Sequence, residues 1–174
     1  ASGQFFIQPV APRVAITSTN YRSEQSVTST TRIAENRWQS VAATIEKNAG
    51  GTTSTLKLYI DGALVAQKAD STTALSDLTT HTMNYIGRSA YAGDSLYQGG
   101  VSSFRVYNAA LSAGDIAAAS ATDATATASE VVAGIDLAGA NAQSLSAVET
   151  DLVLPTTGGV TWTSSPSGVV AADG

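Results

Sequence analysis

The sequence predicts an all-β protein, an antiparallel sandwich or barrel, and three observations carry that reading. Short runs rich in β-branched and aromatic residues recur between turn residues at 5–8, 13–18, 26–30, 38–46, 55–60, 63–69, 83–88 and 99–108. The run "LKLYIDGALVAQK" at 56–68 alternates apolar side chains about an Asp-Gly step. Such a step is a strong hairpin signal, because a two-residue turn needs positive φ, which glycine adopts without a Cβ clash. Finally, no strand is followed by the long helical pattern that a parallel α/β sheet requires.

Taken in order, the first three runs are short and closely spaced. The fourth, 38–46, opens on Trp38 with Val41 and Ala43 as apolar partners, so its indole is expected in the core. The stretch "NAGGTTST" at 48–55 reads as a flexible connection, which pairs 38–46 with 55–60 as a long-looped hairpin. Asp61-Gly62 then pairs 55–60 with 63–69, giving a three-strand meander in which Asp61 is a turn former, not a ligand. After Asn108 the pattern changes to "AALSAGDIAAAS", where Ser112 can cap a short helix and Asp115 sits near its positive end. The following "ATDATATASE" is small, polar and aperiodic and reads as a linker. A second β-type block begins near Val131 and includes Trp162, again expected in a core.

Composition restricts the function classes. Of 174 residues, 43% are hydrophobic and only 13% charged, which leaves a surface of Ser, Thr, Ala, Asn and Gln in an extracellular style. A net charge of −5 gives no basic stripe to neutralise phosphates, which argues against nucleic acid and anionic membranes as partners. There is no cysteine, so disulfides, thiolate chemistry and cysteine-based metal sites are excluded together. No apolar run is long enough to span a membrane. The start "ASGQFFIQPV" is unlike a signal peptide, so secretion would require a signal upstream of Ala1.

The catalytic signals are thin. Glycoside hydrolysis needs two carboxylates set across a cleft, and the acidic residues here are scattered through turns and helix starts. The single histidine, His81, lies in the polar loop "LTTHTMN", without the partners of a nucleophilic triad. With no cysteine, it cannot complete an ordinary zinc set.

The ordered motifs "RWQSVAATI" at 37–45, "LKLYIDGALVA" at 56–66 and "YIGRSAYAGDSLYQGGVSSFRVYNAALSAGDI" at 85–116 resemble the C-terminal two thirds of laminin-G-like, concanavalin-A-like jelly-roll modules of large secreted bacterial carbohydrate-active enzymes. Residues 131–174, with "DLVLPTTGGVTWTSS", resemble the start of a degenerate bacterial immunoglobulin-like domain. The resemblance implies a jelly-roll sandwich over 1–117 lacking its first strands, a linker at 118–130, and an incomplete immunoglobulin-like unit from 131. The chain is therefore expected to begin and end inside folded units.

The resemblance also implies a non-catalytic, carbohydrate-binding accessory module of an extracellular or cell-surface glycoside hydrolase. Its partners would be a glycan or polysaccharide, arabinose-containing ones favoured, and the rest of the parent polypeptide. Two other readings stand beside it: a structural spacer or adhesion domain, and a glycosidase fragment whose active site is completed outside the chain. Calcium is the candidate cofactor, with Asp94 a candidate ligand or loop brace. Relatives carry acidic residues before "FRVYN", where this sequence has Ser102 and Ser103. The loop 88–99 is the predicted ligand site. Its Arg88, Tyr91, Asp94 and Tyr97, beside Gln98, set stacking surfaces next to polar groups that match a sugar face and its hydroxyls. Tyr21, Arg22 and Glu24 form a second candidate on a separate loop.

Overall fold

A computed structural model describes residues 3–19, 21–78 and 84–133. His81, Met83, Trp162 and all but the first three residues of the expected immunoglobulin-like unit lie outside them. Two three-stranded antiparallel sheets pack face to face. In the first, β1 (Gln4–Gln8), β2 (Arg13–Thr17) and β3 (Gln25–Thr28) lie in sequence order; β4 (Val41–Lys47), β5 (Ser54–Ile60) and β6 (Ala63–Ser71) do the same in the second. The all-β sandwich is thus the observed architecture.

Period-two alternation decides which side chains enter the core. In the register of the first sheet, Phe5 pairs with Ile16 and Ile7 with Val14, which places these four on one face. Val14 and Ile16 meet Leu56 and Leu58 of β5 in a fully buried cluster, flanked by Phe5, Val27, Val41, Ala43 and Ile45. The two central strands therefore supply the core, because each is covered by a neighbour on both edges. The other face of the first sheet carries Phe6, Gln8 and Arg13, with Phe6 opposite Ala15 and Gln8 opposite Arg13.

The Asp61-Gly62 hairpin forms as the sequence requires, with φ of 49° and 79° at its two central residues. Asp61 does more than turn the chain. Its carboxylate accepts hydrogen bonds from the Ser40 N–H at 3.0 Å, the Gln39 side-chain amide at 2.7 Å and Arg37 at 3.3 Å. Those bonds hold 37–40 in a bend, so β4 starts at Val41 and not at Trp38. Asn36, at φ 56°, turns the chain just before it. Trp38 consequently does not enter the core. It is 43% exposed, and its ring lies so close to Gly100 that a Cβ there would stand 2.7 Å from it.

Replacing Asp61 by Ala removes a left-handed-tolerant residue and three acceptor contacts together. We expect a loss of about 2 kcal/mol in chemical denaturation. Asp61→Asn, which tolerates the same φ, should lose less. Equal midpoints for Asp61→Ala and the wild type would refute the bracing role.

Three further expectations are corrected. The connection at 48–55 is not loose: the Asn48 side chain donates to Thr53 Oγ1 at 2.8 Å and to the Ala69 carbonyl at 2.7 Å, and accepts from Thr55 Oγ1 at 2.7 Å. Neither 84–88 nor 99–108 is a strand. Gly87, at φ 82°, turns the first of these. The second alternates correctly but finds no ladder partner among the described residues, and Phe104 and Val106 are 65% and 80% exposed. Alternation selects faces; a strand also needs a neighbour's N–H and C=O groups.

The segment read as a linker, 118–130, is helical. Helix α1 runs from Ala113 to Ala133, across the expected linker and into the first residues assigned to the second unit. Ser112 caps it as expected, its Oγ accepting the Asp115 N–H at 3.2 Å. Alanine is the strongest helix former and outweighs the missing apolar period. The intervening threonines satisfy their hydroxyls inside the helix, Thr122 on the Ala118 carbonyl and Thr125 on the Ala121 carbonyl, both at 3.0 Å. Buried Ile116, the Ser40–Ser120 hydroxyl pair at 2.6 Å, and a two-bond Arg105–Asp123 contact at 2.8 and 2.7 Å dock α1 near the hairpin. Among the described residues no helix is long and apolar enough to cross a membrane.

Candidate functional site

The outer face of the first sheet carries the candidate site. Strand register sets Phe6, Gln8 and Arg13 side by side, and β3 begins immediately after Glu24, whose carboxylate pairs with the Arg13 guanidinium. The Glu24 side chain is only 9% exposed. Across this face lies the loop that follows Gly87. Its Tyr91 hydroxyl donates to Glu24 Oε1 at 2.9 Å, and its ring meets Phe6 edge-on, with centroids 6.4 Å apart and planes at 88°. The Arg13 guanidinium sits 5.3 Å from the centre of the same Phe6 ring. Edge-to-face and cation–ring contacts of this kind fix the orientation of the groups as well as stabilising them.

These groups enclose an open concavity of about 400 Å³ lined by Phe6, Gln8, Arg13, Glu24, Tyr91, Gly93 and Asp94. Asp94 stands at its edge because a tight turn, closed by the Asp94 N–H on the Tyr91 carbonyl at 3.1 Å, keeps it beside Tyr91. The Tyr91 hydroxyl is pushed up to about 12, first by burial and then by the Glu24 carboxylate that holds its proton; Gln4 and Arg13 pull the other way.

Of the four residues predicted from the sequence, the structure brings Tyr91 and Asp94 into the cavity and leaves two outside it. Arg88 stacks on Tyr85, 4.5 Å from the ring centre, and forms no ion pair with Asp94. Tyr97 is bound into its own loop, its N–H donating to the Gly87 carbonyl at 2.8 Å. The second candidate loop joins the first through Glu24. Phe6, Gln8 and Arg13 were missed, although their signal was present: in a short hairpin joining 5–8 to 13–18, alternate residues of both strands share the face turned away from the core. The 67-residue separation of Glu24 and Tyr91 left no local trace.

The cavity does not fit calcium. That ion takes six to eight oxygen ligands, and no three acidic or histidine side chains converge among the described residues. Both Glu24 oxygens are already engaged, by Arg13 and Tyr91.

Residues 3–117 match the concanavalin A-like lectin/glucanases superfamily, and the chain belongs to it. Among solved structures it is similar to an S-layer domain-containing protein (residues 221–444) from Clostridium thermocellum ATCC 27405, at 28% identity and a TM-score of 0.38, with 63% of this chain and 51% of that one covered. The chain thus spans about half the length of that relative. No curated protein matches.

Proposed function

We propose that the chain is a non-catalytic carbohydrate-binding module, an accessory unit of a larger secreted bacterial glycoside hydrolase, with arabinose-containing glycans as its favoured ligands. One observation carries the reading. An open concavity of about 400 Å³ sets the Phe6 and Tyr91 rings beside the Arg13–Glu24 pair and Asp94, combining apolar ring surface with charged hydrogen-bonding groups. Superfamily membership and the weakly charged surface support it. The division into a module through 117 and an immunoglobulin-like unit from 131 belongs to the same proposal, with α1 as the connection.

Hydrolysis by this chain alone is not part of the reading. Glu24 and Asp94 share the cavity, but both Glu24 oxygens are occupied, so it has none free to protonate a leaving group. The spacer reading draws on the same contacts, because a Tyr91 hydroxyl bound to Glu24 also braces a loop.

Calorimetry against arabinan, arabinogalactan and arabinoxylan fragments separates the three. Binding should be weak, and Tyr91→Ala should reduce it roughly tenfold through loss of one stacking ring. Absence of heat with every glycan would favour the spacer; sugar release by the purified chain would favour an enzyme fragment.

A further inference from the structure

Resting on the glycan-binding reading, we infer that the cavity selects neutral glycans over uronate-bearing or sulfated ones, and that Asp94 sets this selectivity. The charges lining the cavity are Arg13, Glu24 and Asp94. Arg13 and Glu24 cancel as an ion pair, and the Glu24 carboxylate also holds the Tyr91 hydroxyl. Both oxygens of Glu24 are engaged, and Arg13 is neutralised by it, so the pair offers an incoming anion no net positive charge. Asp94 forms no ion pair among the described residues; the four present join Arg13 to Glu24, Arg37 to Asp61, Lys68 to Asp70 and Arg105 to Asp123. The cavity therefore carries one uncompensated negative charge, within a chain of net charge −5.

An ionised carboxylate accepts hydrogen bonds and donates none. Two neighbouring hydroxyls of a neutral pentose or hexose can donate to its two oxygens. A sugar carboxylate or sulfate can only be repelled by it, and like-charge juxtaposition is a recognised means of rejecting wrong partners. Arg88, the loop cation best placed by sequence to attract an anion, is absent from the cavity and stacks on Tyr85. Because Asp94 is exposed, the repulsion is screened by salt, and the selectivity should shrink as ionic strength rises.

The test compares a neutral arabino-oligosaccharide with an oligogalacturonide of equal length, by calorimetry at low salt and at roughly 0.15 M. It uses the wild type, Asp94→Asn and Asp70→Asn. The last removes the same formal charge from an exposed residue that does not line the cavity. The wild type should bind the neutral ligand roughly tenfold more tightly at low salt, Asp94→Asn should lose most of that ratio, and Asp70→Asn should keep it. Equal affinity of the wild type for both ligands, or a ratio unchanged by Asp94→Asn, would overturn the assignment while leaving glycan binding intact. No binding of either ligand would overturn the glycan reading and the selectivity with it.

Discussion

Gly62→Ala should be among the most damaging single substitutions in the protein, lowering stability by roughly 2–4 kcal/mol. Two costs combine at this position. The backbone sits at φ +79°, which a Cβ strains, and the new Cβ would lie 2.8 Å from the Ala117 Cα. The second atom belongs to the backbone of α1, so relief requires the helix to move, and not one flexible side chain. Such a movement threatens the burial of Ile116 and the Ser40–Ser120 bond. Gly50 separates the two costs, since it has φ +91° and a methyl added there would meet nothing within 4 Å. Gly50→Ala should cost only about 1 kcal/mol. Urea midpoints of the two variants decide: equal losses would mean that α1 does not press on the hairpin.

That contact answers what the Asp61-Gly62 turn is for. It joins β5 to β6, fixes 37–40 through the Asp61 carboxylate, and at Gly62 offers α1 a point of close approach with no Cβ in the way. Only the first role was legible in the sequence, because turn geometry is local to two residues. The second depends on donors 21 to 24 residues away and the third on a helix more than 50 residues later.

The same division holds elsewhere. The Ser112 cap and the first three strands were readable, each resting on a local pattern. Trp38 lies outside the core for two reasons: period two sets it on the opposite face from Val41 and Ala43, and Asp61 captures the Ser40 N–H before the ladder begins. The helix over 118–130 has no apolar period to announce it and rests on alanine's intrinsic preference. At the site, Tyr91 and Asp94 were readable as an aromatic and an acid in one loop. The partners that give them a cavity come from the outer face of the first sheet, distant in sequence from that loop, and were not.

Glu24 is the residue on which that cavity's geometry depends, and its replacement should register in two independent measurements. Glu24→Ala leaves the Arg13 guanidinium without its counter-charge and the Tyr91 hydroxyl without its acceptor, beside a side chain only 9% exposed. The expected loss is about 2 kcal/mol, moderated because Arg13 can reach water. The second measurement is the alkaline titration of tyrosine by phenolate absorbance. In the wild type, Tyr91 should ionise near 12, well after an ordinary phenol. Because the folded value is raised above the unfolded value of 10.0, the folded state holds this proton more tightly. The associated stability is complete below pH 10 and is lost as pH rises from there through about 12. Tyr91→Phe should remove this late ionisation, assigning it. Glu24→Gln keeps an acceptor for the hydroxyl but removes the neighbouring negative charge, so the late titration should move down. It should stop short of 10, since burial is the larger cause and remains. A titration of Glu24→Gln superimposable on the wild type would show that Glu24 does not hold Tyr91 in solution, leaving the Phe6 ring contact as the tie between the loop carrying Asp94 and this face of the sheet that does not run through Glu24.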